Sequence, residues 1–345
     1  MSDIIRVLVI DDSAYVRKSV SSMLGRSPFI EVVGIARDGA EALELAAELN
    51  PDVITCDLNM PVMDGVTFVR QQMARRPVPI VIVSIAAESG EQVLAALDAG
   101  AVDFVQKPTA LATEKLMDIS EDLVAKVKAA ARAKAGAIAA LAARPAAGVL
   151  QAGLATHGTE IVVLGISTGG PQGLKLMLPR IPPDCPVPIA MVLHMPVGYT
   201  KAYAEKLGEL CQIRVVEASQ GDEIVAGTAY LAPAGRHLTF RRSGGAVFAE
   251  LTLRPLDTPH RTSVDTLFQS AAEVYGGAVL GVVMTGMGSD GREGAAWIKA
   301  RGGRILAESE DTCVVYGMPR SVVEAGLADA IVPLDRMAEA IMERI

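Results

Sequence analysis

Gly165-Ile166-Ser167-Thr168-Gly169 follows the pattern G-x-S-x-G, directly after an apolar run and before a helix-like stretch. Small neighbours permit the sharp turn that projects a serine hydroxyl into solvent. The same glycines could instead cradle a phosphate at a helix N-terminus. The spacing G-x-G-x-x-G and a P-loop lysine are both missing, which weakens a dinucleotide site. A serine nucleophile needs a base, because its hydroxyl is barely ionised at neutral pH. Of the four histidines, His194 ends the next strong apolar run and can share a sheet edge with Ser167. His157 falls in a spacer-like segment, and His237 and His260 fall in a less regular region. A carboxylate must then orient the imidazole and stabilise its charged form. Asp290 fits best, because it lies in a glycine-rich loop after a strongly apolar run; Asp222, Asp257 and Asp265 compete but follow weaker ones. The order Ser, His, Asp departs from the Ser, Asp, His of α/β-hydrolases and argues against that fold.

A second constellation occupies the first third of the chain. Asp11 and Asp12 end the first apolar run, Asp57 the third, Ser84 the fourth and Lys107 the fifth. Taken singly, each is ordinary, since an aspartate at a strand end usually caps a helix or forms a turn. Together they would crowd three carboxylates over one pocket, where they resist ionising at once. A hard divalent cation relieves this, and oxygen ligands favour Mg²⁺. Asp57 could then attack a phosphoryl group while Ser84 and Lys107 hold its oxygens. Lys107-Pro108 is a candidate cis peptide.

The elements that must position these residues alternate in type. Runs at 6–10, 31–36, 52–57, 79–84 and 103–107 read as buried strands, with amphipathic stretches such as Ala14–Leu24 and Gly39–Leu49 between them. A last helix spans about Lys115–Ala130. Such βα repeats give a parallel sheet covered on both faces. Leu123 to Thr159 contains no acid and is rich in alanine and cations, a helix that frays into a tether. Apolar runs resume at 161–167, 188–194, 213–218, 228–233, 246–252, 279–287 and 304–309, with an antiparallel hairpin expected within 238–252. Helical patterns follow at Tyr199–Leu210, Ser263–Tyr275, Arg292–Ala300 and Pro319–Ala325. The fold class is therefore α/β, in two domains, each a doubly wound and mainly parallel sheet.

Composition narrows the function classes. At 345 residues the chain holds about two domains at ~150 residues each. Half of it is hydrophobic, which fits a packed protein and not a disordered one. The 32 basic and 40 acidic residues give a net charge of −8, which argues against a nucleic-acid binder. The four cysteines form no C-x-x-C pair, so neither a disulfide framework nor a zinc site is expected. No stretch has the ~18 apolar residues of a membrane span, and no signal peptide opens the chain. A soluble, cytoplasmic protein without membrane insertion is expected.

The first block, through Val9-Ile10-Asp11-Asp12-Ser13, the segment 56–65 (CDLNMPVMDG), Ser84 and the segment 103–108 (DFVQKP), resembles the receiver domain of two-component response regulators. The resemblance implies a flavodoxin-like fold over 1–125, with Asp57 as phosphoacceptor fed by a histidine kinase. It implies Mg²⁺ held by Asp12, Asp57 and the Asn59 carbonyl, with Asp11 acting through water. Ser84, Lys107 and Phe104 take the phosphoryl-binding and switch positions. The second block, through 165–171 (GISTGGP), 193–200 (LHMPVGYT), 260–268 (HRTSVDTLF) and 285–291 (TGMGSDG), resembles the catalytic domain of chemotaxis receptor methylesterases. That resemblance implies a Rossmann-like domain over 159–345, behind a basic, alanine-rich linker over 126–158. Ser167, His194 and Asp290 become nucleophile, base and orienter. The Met287 N–H becomes an oxyanion donor and Thr168 an assisting residue, with no cofactor for the ester chemistry. Leu193 and Ala234 depart from that family's usual glutamine and glycine. The expected substrates are methylated glutamates, and glutamines to be deamidated, on chemoreceptors. The protein would be recruited to receptor arrays, with the receiver occluding the Ser167 cleft until phosphorylated. The alternative from another class is a phosphate-cradling interaction module under receiver control.

Overall fold

The structure is a computed structural model describing residues 4–84, 90–107, 113–133 and 158–345. Two compact units divide it, Met1–Ala143 and Arg144–Ile345. In the first, strands β1 (Ile5–Ile10), β2 (Ile30–Ala36), β3 (Val53–Cys56), β4 (Ile80–Ser84) and β5 (Asp103–Gln106) alternate with helices α1 (Ala14–Leu24), α2 (Gly39–Leu49), α3 (Gly65–Arg75), α4 (Gly90–Asp98) and α5 (Thr113–Arg132). The strands pair in parallel in the order β2-β1-β3-β4-β5. Strands β3 and β4 are buried throughout, which is why they read as unbroken β-branched runs instead of alternating ones. Short polar residues start the helices just past the strand ends. Ser13 accepts from the Val16 N–H, Asp38 from Ala40 and Glu41, and Asp64 from Thr67.

Helix α5 continues through Arg132, close to the expected end near Ala130, so Lys126 to Arg132 belong to the first unit's last helix and not to the linker expected from residue 126. The cause is packing: Leu123, Val127 and Ala130 fall on one helix face and enter the core with Val7, Val9, Val81 and Val105. Lys126 donates to the Phe104 carbonyl at 2.7 Å and pairs with Asp103 at 3.2 Å. The remainder of the expected linker that lies within 134–157, His157 included, and the Lys107-Pro108 bond fall outside the described residues.

The second unit contains β6 (Ile161–Ile166), α6 (Gly170–Met177), β7 (Ile189–Leu193), α7 (Thr200–Gly208), β8 (Arg214–Glu217), β9 (Thr228–Leu231), β10 (His237–Ser243), β11 (Ala246–Thr252), α8 (Val264–Tyr275), β12 (Val279–Val283), α9 (Arg292–Ala300), β13 (Arg304–Glu308), α10 (Met318–Glu324), β14 (Ala330–Val332) and α11 (Leu334–Met342). Seven strands form one parallel sheet in the order β14-β13-β12-β6-β7-β9-β8. The chain runs outward from β6 in one direction and returns to its other side with β12, so a topological switch point lies between β6 and β12. The expected hairpin is β10–β11, antiparallel from His237–Thr252 to Ser243–Ala246. Gly244 and Gly245 close it with φ of 60° and 90°, the left-handed pair that a two-residue turn demands. Strand β14 and helix α11 were not expected from the sequence. The first has three residues, too few to show a period, and its Ile331 faces solvent.

Candidate active site

In the first unit, parallel pairing carries each chemically active residue to one edge. The Asp57 N–H continues the β1–β3 ladder to the Ile10 carbonyl at 3.0 Å, which sets Asp57 beside Asp11. The Lys107 N–H reaches the Ser84 carbonyl at 2.7 Å. Lys107 Nζ then stands 2.7 Å from Asp11 Oδ2 and 2.8 Å from Asp57 Oδ2, with all three side chains buried. Burial pushes the Asp11 carboxyl up, against the pull of Lys107. Burial pulls Lys107 down, but its hydrogen bonds to Asp11 and Asp57 outweigh this and hold it above the usual lysine range. Ligand atoms of Asp11, Asp12 and Asp57 lie within 4.8 Å of one another, an all-oxygen donor set that suits a hard divalent ion. Asp12 and Asn59 are exposed at the mouth, and Ser84 and Phe104 are buried. Gly65 is required here: a Cβ would sit 2.1 Å from the Asp57 carbonyl oxygen, so any other residue would push α3 off the pocket.

In the second unit, β12, β6 and β7 are neighbours, and their carboxyl ends supply Asp290, Ser167 and His194. Ile166 pairs with Leu193, so Ser167 and His194 are the next residues on adjacent strands. The His194 N–H donates to the Ile166 carbonyl at 3.2 Å, and the Ser167 N–H to the Thr285 carbonyl at 2.9 Å. A Cβ on Gly286 would lie 2.8 Å from the Ser167 Cβ, so this glycine lets the loop after β12 close onto the serine. Ligands bind at such switch points in open α/β sheets.

His194 Nε2 lies 2.8 Å from Asp290 Oδ2. With Nε2 carrying the proton shared with the carboxylate, the buried Nδ1 makes no hydrogen bond among the described residues and keeps its lone pair for a proton acceptor's work. The Asp290 carboxylate is gripped by the start of α8. It accepts from the Ser263 hydroxyl at 3.0 Å and from the N–H groups of Val264 and Asp265 at 2.8 and 2.9 Å. Burial opposes the charge on Asp290, but the His194 hydrogen bond and these amides prevail, holding it well below the usual carboxylate range. Asp265, one of the competitors for the orienting role, instead braces the loop. Its Oδ1 accepts from the Gly291 and Gly294 N–H groups at 2.9 and 2.7 Å. Burial, with the charge of Asp290 adding to it, pushes Asp265 up to about 6.

Thr168 is buried, and its carbonyl accepts from Thr285 Oγ1 at 3.0 Å. Met287 lies in the same loop, and its N–H donates to no group among the described residues. Two further residues had no role assigned from sequence. His260 stacks on His194 with ring centroids 4.2 Å apart, and Ser263 caps α8 while binding Asp290. Their only signal was the segment 260–268 as a block. Asp222 and Asp257 lie elsewhere: Asp222 accepts from the Ser219 N–H, and Asp257 is exposed. His237 accepts from the Ser263 N–H at Nδ1 and so donates from Nε2 to the Pro255 carbonyl, which ties the loop before α8 to β10.

A buried pocket of carboxylates and a lysine at one sheet edge, followed by a unit with serine, histidine and aspartate at another, fits a response regulator with an enzyme as its output. Residues 7–120 match the response regulator receiver domain, and residues 162–341 match CheB methylesterase. The chain belongs to the CheB methylesterase family. It is 48% identical over 334 residues, covering 96% of both chains, to protein-glutamate methylesterase/protein-glutamine glutaminase 5 of Myxococcus xanthus. It is 43% identical to the Geobacillus kaustophilus protein-glutamate methylesterase/protein-glutamine glutaminase, with 99% of each chain covered. The crystal structure of the Thermotoga maritima CheB methylesterase catalytic domain superposes with a TM-score of 0.53 and 41% identity, covering 54% of this chain and 99% of that one.

Proposed function

We propose that this protein is a phosphorylation-activated protein-glutamate methylesterase that also deamidates glutamine, acting on chemotaxis receptors. The observation that carries the reading is the His194–Asp290 pair at 2.8 Å, set one strand from Ser167. Ser167 Oγ attacks the γ-ester carbonyl, and its proton passes to His194 Nδ1. The negative oxygen that forms faces the Met287 N–H. The tetrahedral adduct collapses as methanol leaves with the proton from His194. Water then attacks the acyl-serine, giving its proton to His194; the serine ester bond breaks as Ser167 Oγ takes that proton from His194, and glutamate is released. With glutamine the leaving group is ammonia. Asp290, held ionised by the α8 amides, stabilises the imidazolium through both steps.

Asp57 accepts the phosphoryl group from a histidine kinase. Asp11, Asp12, Asp57 and the Asn59 carbonyl would hold Mg²⁺, which when bound neutralises the carboxylates and the incoming phosphoryl oxygens. Lys107 and Ser84 hold the transferred oxygens, and Phe104 follows them as the switch. Residues 1 to about 132 act as the receiver with α5 included, the stretch that follows to 158 as the connection and 159–345 as the esterase. Among the described residues no helix is long and apolar enough to cross a membrane, in keeping with action in the cytoplasm at receptor arrays.

The test is mass spectrometry of a methylated receptor incubated with the protein, with and without a phosphodonor. Loss of one methylene mass per ester, faster with the phosphodonor and absent with Ser167→Ala, is expected. Unchanged receptor mass together with no labelling of Ser167 by a fluorophosphonate would overturn the reading.

A further inference from the structure

The rim of the catalytic cleft differs in charge from the rest of the chain. Two loops build it, residues 233–237 between β9 and β10, and residues 253–263 between β11 and α8. They are joined by the Gly235 N–H to Arg261 carbonyl bond at 2.9 Å and by the His237 bonds to Pro255 and Ser263. The second loop also carries His260, stacked on the catalytic imidazole, so the rim adjoins the reacting centre. In a protein of net charge −8, these loops hold Arg236, Arg254 and Arg261 against one acid, Asp257. All three arginines are exposed. The guanidinium groups of Arg236 and Arg254 have no hydrogen-bond or ion-pair partner among the described residues, whereas Arg261 donates to the Leu256 carbonyl. Exposed cations without an ion-pair partner on an acidic protein are unspent charge, available to a ligand.

Apolar surface lies among them. Val197, in the loop that follows His194, is 67% exposed and touches the Gly235 position, and Leu253 and Leu256 are 52% and 64% exposed. A cavity of about 480 Å³ opens between Val197, Pro233, Arg236 and Leu251. Its acid, Glu217, is engaged by the Thr200 hydroxyl at 2.5 Å. A glutamyl ester fills only the space above Ser167. A cationic and apolar surface reaching well beyond it fits a polypeptide that carries acids and apolar side chains around the scissile group.

We propose that this rim docks an acidic, partly apolar stretch of the protein substrate that flanks the ester-bearing residue, with Arg236 and Arg254 as its specificity-determining cations. The proposal rests on the esterase reading and names the substrate class for it. Every turnover also creates a new carboxylate, so product retention grows with the acidity of the same stretch.

Three probes separate the contributions, using the full chain: a peptide bearing one glutamate γ-methyl ester among glutamates, the same peptide with flanking lysines, and p-nitrophenyl acetate. The unaltered protein should prefer the acidic peptide. The double variant R236E/R254E should raise KM for it roughly tenfold, as two exposed charge pairs become repulsive, and reverse the preference. Its hydrolysis of p-nitrophenyl acetate should not change. An unchanged KM, or equal use of both peptides by the unaltered protein, overturns the proposal while leaving the esterase reading intact. No hydrolysis of any ester overturns both. If the variant loses p-nitrophenyl acetate hydrolysis as well, the salt series of the unaltered protein decides. KM for the acidic peptide rising with NaCl supports the docking, and a flat series overturns it.

Discussion

The His260 imidazole lies stacked on that of His194, with ring centroids 4.2 Å apart and planes 27° from parallel. One edge of His194 is held by Asp290, and this stack covers one of its faces. The base is therefore fixed in rotation as well as in direction, the geometry that proton transfer requires. Replacing His260 with alanine should lower kcat for ester hydrolysis about 3- to 10-fold, in line with the worth of an aromatic pair. His260→Phe keeps the stack and should retain most activity. Steady-state kinetics on p-nitrophenyl acetate would check this, and equal losses in both variants would show that the ring's nitrogen, not its face, matters.

Asp290 receives three hydrogen bonds from α8 besides the one from His194, so replacement by asparagine should keep the loop but lose the charge. The expected result is a fall in kcat of about 10⁴-fold with KM little changed, by analogy with the general behaviour of triads. Asp265→Ala removes the acceptor of two loop amides without touching His194 and should cost far less, about tenfold at most.

Lys107 separates two buried carboxylates, Asp11 and Asp57. Lys107→Met leaves them unpaired, and the receiver unit should lose about 3–5 kcal/mol of stability. Added Mg²⁺ should restore part of this loss, because it binds the folded pocket alone. Thermal unfolding with and without Mg²⁺ would measure both effects. Asp57→Asn should accept no phosphoryl group from acetyl phosphate, read by phosphate-affinity electrophoresis.

Glu308 ends β13 with no cation paired to it among the described residues, fully buried, and accepts from the Thr285 N–H at 2.9 Å and from Thr312 Oγ1 at 3.0 Å. Burial pushes it up to about 7. Its folded pKa exceeds the unfolded one, so its contribution is fully present below about pH 4.5 and is lost as pH rises through 7. Glu308→Gln should therefore stabilise the second unit at pH 8 relative to pH 5, by up to about 3 kcal/mol. Trp297, the chain's one tryptophan, lies in α9 of this unit and reports its unfolding by fluorescence. Equal shifts at both pH values would refute the titration.

Deleting residues 1 to about 155 should raise basal esterase activity if the unphosphorylated receiver occludes the cleft. A truncated protein no faster than the full chain would reject occlusion and favour activation by contact. Initial rates on p-nitrophenyl acetate distinguish the two.

Much of the site was legible because βα repetition is a strong constraint. In a parallel sheet every strand points the same way, so the residue after each apolar run falls on one edge. Asp11, Asp57, Ser84, Lys107, Ser167 and His194 could all be found on that rule, and the structure places them there. Asp290 was harder, since it lies seven residues past the end of β12, and only its glycine-rich loop marked it.

The surroundings of those residues were not legible. Which nitrogen of His194 meets Asp290, what covers the imidazole and what holds Asp290 ionised all depend on the segment 253–265. That segment has no period to read, and its position is set by packing between the hairpin and α8. The role of Asp265 shows the same limit: its type suggested a triad member, and its contacts make it a brace for one. The end of the first unit was likewise decided by burial: Val127 and Ala130 carry α5 into its core past residue 126, where the change in composition placed the start of the linker. Local order in the chain dictates which residues reach an edge. Long-range packing dictates what each one faces, and charge and proton affinity follow from that.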